Sequence, residues 1–136
     1  DAHHPLSHHQ GVTASLEKLT KINTYHVTLF ASFLEKLRAT PDGDGSLLDH
    51  VMILYGAGMS DSNAHSPYNL PILLVGGGAG QLKGGRHLVY PERTPLANLH
   101  VSLLDKLGVD VERLGDSTGG LSNLAGSQGV EALSGI

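Results

Sequence analysis

Apolar residues between positions 13 and 39 recur every three or four positions, with charged residues between them. This spacing places the apolar side chains on one face of an amphipathic helix. The predicted apolar face consists of Leu16, Leu19, Ile22, Leu29, Phe33 and Leu37. Thr13 or Ser15 can cap the start of this helix, and the breakers at 40–45 end it.

Two short apolar runs, 51–55 and 71–75, each lead into a glycine-rich loop. This pattern is typical of buried parallel strands that deliver polar loops at their C-terminal ends. A third, shorter strand is predicted at 84–90. The functional site is therefore expected at the strand ends.

A second helix is predicted at 95–107, because leucines recur there on one face. Thr94 is its expected N-cap, Pro95 its first residue and Gly108 its C-terminal cap. Together the elements predict an α/β fold with a short, mostly parallel sheet flanked by helices.

The 136 residues contain no internal repeat and no second domain boundary, so one α/β domain is predicted at 1–120. The Ser, Gly and Asn mixture at 121–136 predicts a flexible tail. A start inside a His-dense segment, without Met or a signal peptide, indicates a mature form or a fragment of a longer parent. Sheet edges with few partners in so short a chain favour a homo-oligomer.

The charge pattern argues against two classes of partner. The net charge is −4, with Lys and Arg scattered singly, so no basic stripe is available for nucleic acid. Every apolar run is far shorter than the ~20 residues of a membrane-spanning helix. The absence of cysteine excludes disulfides, thiolate metal sites and a Cys nucleophile, and leaves the compartment open. A small-molecule substrate remains the expected partner.

The first ten residues hold the most informative chemistry. His3, His4, His8 and His9 form two pairs beside Asp1, in a segment predicted to be a loop because Pro5 restricts the backbone before it. Neutral imidazole is the commonest protein ligand of zinc, and a carboxylate adds an anionic donor. The alternative is a tag remnant or a solvated terminus, although the Pro-Leu-Ser interruption argues against an engineered run.

The loop after the first predicted strand carries Asp61 and His65. A carboxylate and an imidazole at a strand end can hold a metal ion or accept a proton. Alternatively, Asp61 hydrogen-bonds only its own turn. Ser60 is a candidate nucleophile, although it is not centred in a Gly-x-Ser-x-Gly pattern. The glycine run at 76–80 resembles a phosphate-binding loop but lacks the Lys-Ser/Thr that completes one.

Several segments resemble a bacterial family, number 1552 of the domains of unknown function. They are DAHHPLSHH at 1–9, LTKIN at 19–23, YGAGMSDSNAH at 55–65 and NLPILLVGG at 69–77, and the resemblance extends to about 118. Members are much longer and often exported, so the resemblance implies that this chain is their C-terminal part.

A second, more distant similarity is to the C-terminal half of the alkaline-phosphatase and sulfatase-like hydrolases. It includes the order of strands and loops, the Lys-Gly-Gly at 83–85 and the TPLANLH segment at 94–100. In those enzymes, Asp and His at strand ends bind one or two metal ions, which implies that Asp61 and His65 are ligands. The nucleophile and early ligands of that superfamily lie in an N-terminal half that these 136 residues do not contain.

The sequence thus predicts a metal-dependent hydrolase of phosphoester, ester or lactone bonds, in which metal-activated water attacks the substrate. Zinc suits the imidazoles best, whereas calcium or magnesium would require mainly oxygen ligands. The alternatives are a lactonase or carboxylesterase with Ser60 as nucleophile, and a non-catalytic metal-binding or assembly module. The predicted catalytic residues are Asp61 and Ser60, and the predicted metal ligands are Asp1, His4, His8, His9, Asp61 and His65.

Overall fold

The computed structural model describes residues 2–121 and 130–132. The helices are α1 (His3–Ser7), α2 (Thr13–Ala39), α3 (Leu47–His50) and α4 (Leu96–Lys106). The strands are β1 (Pro41–Asp42), β2 (Gly45–Ser46), β3 (Ile53–Gly56), β4 (Ile72–Val75), β5 (Arg86–Leu88) and β6 (Val130–Ala132). No helix in these residues is both long enough and apolar enough to span a membrane.

The predicted α/β fold with a mostly parallel sheet is wrong, and so is the expected likeness to the C-terminal part of an alkaline-phosphatase-like fold. The described strands form three separate antiparallel pairs, β1 with β2, β3 with β4 and β5 with β6. In the pair formed by the two apolar runs, Ile53 lies opposite Val75 and Gly56 lies opposite Ile72. Alternate side chains of β3 are exposed, unlike those of a strand buried on both faces.

The connection between β3 and β4 explains the antiparallel order. Parallel neighbours need a crossover, usually a helix, whereas 57–71 contains only turns and an isolated bridge between Asp61 and Ser66. The chain therefore reverses and returns alongside β3. As a result, the loop after β3 and the glycine loop after β4 lie at opposite ends of the strand pair, not at one common edge.

The bounds predicted for the long helix are confirmed, but its cap and buried face differ. Neither Thr13 nor Ser15 caps α2, whose first N–H groups bond to the carbonyl of Val12. Leu19 is buried, and Phe30 stacks on Tyr55 of β3 with ring centroids 4.2 Å apart. Three residues of the predicted apolar face are instead exposed, namely Leu16, Leu29 and Phe33. Self-association through such surface stays a prediction.

A short helix occupies part of the segment expected to be a loop. In α1, Pro5 is the third residue, where its missing N–H costs nothing because the first N–H groups of a helix have no intrahelical partner. Leu6 is only 8% exposed, and α1 packs against α2. Burial of this leucine thus anchors the histidine-rich segment.

The glycine loop after β4 caps the C-terminal end of α3. Gly77 and Ala79 donate their N–H groups to the carbonyls of Leu48 and Asp49, each at 2.9 Å. Gly78 donates to Val51 at 3.0 Å. These contacts satisfy the open carbonyls at the end of α3, so the N–H groups of this loop are already used and do not form a phosphate cradle.

The second predicted helix is present as α4, with a different start. Pro95 precedes its first turn, and the hydroxyl of Thr94 donates to Pro91 rather than capping the helix. Gly108 follows the helix with φ +75°, the left-handed conformation expected of a C-terminal glycine.

A buried polar network ties the segment 114–121 to α4. The Asn98 amide donates to the Thr118 hydroxyl at 3.0 Å and accepts the Thr118 N–H at 2.8 Å. The Ser102 hydroxyl accepts the Leu121 N–H, and fully buried Ser117 accepts the Leu114 N–H. Because the side chains of Asn98, Ser102 and Ser117 are buried and buried polar groups need partners, this network fixes the path of the chain after α4.

The third predicted strand is present as β5, whose partner is β6. Most of the predicted flexible tail, 121–136, lies outside the described residues.

Replacement of Gly77 by Ala should destabilise the fold by about 1 to 3 kcal/mol. A Cβ at this position would meet the carbonyl oxygen of Asp49, whereas a Cβ at Gly84 would meet nothing within 4 Å. Urea unfolding of G77A and of the control G84A measures the difference. Equal free energies of unfolding would show that α3 and the glycine loop do not approach closely in solution.

Replacement of Asn98 by Ala should also destabilise the fold, by about 1 to 3 kcal/mol, because the Thr118 N–H and hydroxyl lose their hydrogen-bond partner on the buried Asn98 side chain. Asn23 is exposed on α2, so N23A changes helix propensity without removing a buried hydrogen bond. Urea unfolding of the two variants gives the comparison. A loss in N98A no larger than in N23A would contradict the structural role of the network.

Candidate functional site

The histidine-rich segment lies against the loop that follows β3. The Ser62 hydroxyl donates to the Ser7 carbonyl at 2.9 Å, and the Gln10 N–H donates to the Asn63 side-chain oxygen at 2.9 Å. These two hydrogen bonds join parts of the chain more than 50 residues apart. They bring together the two segments that the sequence singles out for chemistry.

Three imidazoles form a continuous line across this junction. The ring centroids of His4 and His8 are 4.8 Å apart, and those of His8 and His65 are 5.0 Å apart, both in edge-to-face contact. His4 and His65 are exposed, while His8 is half-buried between them. These three imidazoles therefore lie together in a surface cluster, and their convergence with Asp61 on one metal ion stays a prediction.

His9 faces Asp61 from the same junction. Its Nε2 lies 4.0 Å from Asp61 Oδ1, and its Nδ1 accepts the Gly11 N–H at 3.1 Å. Because Nδ1 uses its lone pair in this bond, neutral His9 carries its proton on Nε2. His9 thus presents a donor to the carboxylate and has no lone pair left for a metal ion in this arrangement.

Asp61 combines a turn role with a negative charge. Its Oδ1 accepts the N–H groups of Asn63 at 2.9 Å and Ala64 at 3.0 Å. The hydrogen bond from Ala64, with smaller contributions from Asn63 and His9, holds the pKa of the Asp61 carboxyl below its usual value, against an opposing effect of burial that is larger than either of the smaller contributions. A lowered pKa favours the anionic form, which suits a metal ligand and weakens a general base.

The loop places His65 through an uncommon backbone conformation. His65 has φ +52°, in the left-handed region that few non-glycine residues adopt. The neighbouring Ser66 N–H donates to the Asp61 carbonyl at 2.9 Å and closes the turn. This turn therefore directs the His65 side chain toward His8, and the two rings make contact.

Ser60 lies at the start of the same loop. Its N–H donates to the Ser66 carbonyl at 3.0 Å, and the residue is exposed. Within 2–121, its hydroxyl has no hydrogen bond to an imidazole, so no base is positioned to activate it. The nucleophile role predicted for Ser60 stays a prediction.

The junction supplies donor atoms of the right chemistry for a metal ion but not a finished site. Within residues 2–121 and 130–132, no three His, Asp or Glu side chains stand in positions to hold one ion together. Asp1, the remaining predicted ligand, lies outside the described residues.

Sequence reasoning missed the residues that hold the junction together. Ser7, Ser62 and Asn63 carry no catalytic motif, and their only signal is that short polar side chains flank the His and Asp candidates. Short side chains of this kind commonly bond to nearby backbone groups. Here Ser62 and Asn63 bond to a distant segment instead.

Comparisons of the chain with protein-family models, with curated proteins and with solved structures found no match.

Proposed function

We propose that the junction binds a divalent metal ion, zinc in preference to others, and that the chain hydrolyses ester-type bonds there. The proposal rests on one observation, the line of ring contacts from His4 through His8 to His65. Imidazoles so close together would repel one another if all were protonated. Neutral imidazoles at this spacing are the donors that zinc prefers.

The proposed ligands are His8, His65 and Asp61. Two imidazoles and one carboxylate form the three-ligand set of a catalytic zinc, which leaves the fourth position for water, whereas calcium and magnesium require mainly oxygen ligands. His9 is better suited to orient the Asp61 carboxylate, because its Nδ1 lone pair is already used by Gly11. Carboxylates that bind a metal ion are commonly held in place by hydrogen bonds from outer partners of this kind.

The resemblance to the alkaline-phosphatase and sulfatase-like hydrolases supports the same assignment. It implies metal-ligand roles for Asp61 and His65, the two residues that the loop after β3 contributes. This support concerns the motif alone, because the strand pairs here are antiparallel.

The chemistry proposed for the site is hydrolysis of a phosphoester, ester or lactone. A divalent ion bound there would polarise the substrate and acidify water near the scissile bond. The lowered pKa of Asp61 makes this residue a weak base, so proton acceptance falls to His4, the imidazole of the cluster that is not a proposed ligand. The open position of the cluster on the surface would admit small substrates from solvent.

Zinc affinity is the first test of the proposal. His8→Ala and His65→Ala each remove a proposed ligand with little change in buried apolar area, and should weaken zinc binding at least ten-fold. His26 is exposed on α2 and far along the chain from the junction, so His26→Ala is the matched control. Titration calorimetry with zinc at constant pH, supported by elemental analysis, measures both affinity and stoichiometry.

Wild-type protein should bind one zinc ion, and the control should match it. If H8A and H65A bind zinc as tightly as H26A, or if the wild type binds none, the shared site does not exist.

Hydrolytic activity is the second test of the proposal. A panel of ester, lactone and phosphoester substrates should be hydrolysed by the zinc-loaded chain, and a chelator should abolish turnover until zinc is restored. Ser60→Ala should retain this activity, because metal-assisted hydrolysis needs no serine nucleophile.

The alternatives give different results in the same assays. Hydrolysis that survives the chelator but disappears in S60A would identify a serine esterase or lactonase. Zinc binding without turnover of any substrate would identify a non-catalytic metal-binding module.

A further inference from the structure

The His50 imidazole lies between two carboxylates of the β1–β2 hairpin. Its Nδ1 is 2.8 Å from Asp42 Oδ2, and its Nε2 is 3.5 Å from Asp44 Oδ1. Each ring nitrogen therefore faces a different acidic side chain. This cluster is separate from the junction between α1 and the loop after β3.

The hairpin itself is short and polar. It contains only two residue pairs, Pro41 with Ser46 and Asp42 with Gly45. Gly43 at its tip has φ +59°, a conformation that favours glycine. So few backbone contacts need support from side chains, and His50 supplies it from the end of α3.

A third carboxylate, that of Asp49, forms its hydrogen bonds with Ser46 instead of His50. Its Oδ2 accepts both the N–H and the hydroxyl of Ser46, at 2.8 and 2.7 Å, in a capping box at the start of α3. These bonds lower the pKa of Asp49, so it also stays negative. The charged groups that act on the imidazole are thus Asp42, Asp44 and Asp49, all acidic.

The number of carboxylates that His50 can bind depends on its protonation. A neutral imidazole has a single N–H and can donate to only one of its two partners. An imidazolium has two N–H groups and can donate to both, with charge assistance at each. Protonation therefore converts a one-sided contact into a bridge across the hairpin.

We propose that Asp42, Asp44 and His50 form a proton-dependent latch that fastens the β1–β2 hairpin to α3. At pH values below the pKa of His50, the latch is closed by two charge-assisted contacts. At pH values above this pKa, one contact is lost and the hairpin opens more often. Because the hairpin joins α2 to α3, protonation of His50 changes the rigidity of the link between the two helices.

The direction of the pH effect follows from the surroundings of His50. The hydrogen bond to Asp42 and the charges of Asp42, Asp44 and Asp49 raise the pKa of His50 above its ordinary 6.5, against a smaller effect of burial. The stabilisation is thus complete below 6.5 and is lost as the pH rises through the raised value. Acidification closes the latch, and alkaline conditions open it.

NMR on the intact chain tests the latch. The His50 ring protons should titrate above 6.5, and Asp42→Asn should lower this pKa more than Asp44→Asn. Asp42 makes the shorter contact, whereas the side chain of Asp44 is 99% exposed. A His50 pKa at or below the ordinary value would overturn the proposal.

Amide exchange provides the second readout. The Leu47 N–H, which bonds to the Thr40 carbonyl at 2.9 Å beside the hairpin, should lose protection by about two- to five-fold across the His50 transition. Protection factors must be corrected for the intrinsic pH dependence of exchange. His50→Gln should show no such step, and His26→Gln should retain it. A step of equal size in H50Q, or none in the wild type, would show that the latch does not act.

Discussion

The fold depends on the close approach of two backbones, where the glycine loop after β4 meets the end of α3. The N–H groups of Gly77, Gly78 and Ala79 donate hydrogen bonds to carbonyls at the end of the four-residue helix α3, which have no partner within the helix. This contact holds α3 in place, and α3 in turn carries the chain into β3. A side chain at Gly76 or Gly77 would occupy the space of these carbonyls. The strand pair and the loop beyond it are positioned by this one approach.

The candidate site lies at the other end of the same strand pair. Because β3 and β4 run antiparallel, the loop at 57–71 lies at the end of the strand pair that is away from α3 and next to the histidine-rich segment. Burial of Leu6 anchors that segment on α2, and the hydrogen bonds of Ser62 and Asn63 join the two. The cluster of His4, His8 and His65 thus arises from three independent anchors, none of which is itself a proposed ligand.

Local patterns predicted the two longer helices, α2 and α4, but not the short helices α1 and α3, and they predicted the wrong sheet. Repeated leucines and clear breakers define α2 to the residue, and Gly108 ends α4 in the conformation that its sequence predicts. The apolar runs that form β3 and β4 carry no information about strand direction, which depends on whether 57–71 crosses over or turns back. The proximity of His8 and His65 was predictable from residue chemistry. The roles of Ser62, Asn63 and His50 were not, because each depends on partners that only the folded chain supplies.

The separation of the two halves of the candidate site along the chain also determines when it can form. Ser7 and Ser62 are 55 positions apart, and closing a flexible loop of that length costs about 3.5 kcal/mol or more in chain entropy. The two hydrogen bonds of the junction, one exposed and one half-buried, contribute about 1 kcal/mol each and do not repay this cost by themselves. The junction therefore also depends on the burial of Leu6, which packs α1 against α2. We accordingly expect it to form after α2 is in place and to be among the first contacts that separate when the native chain opens locally.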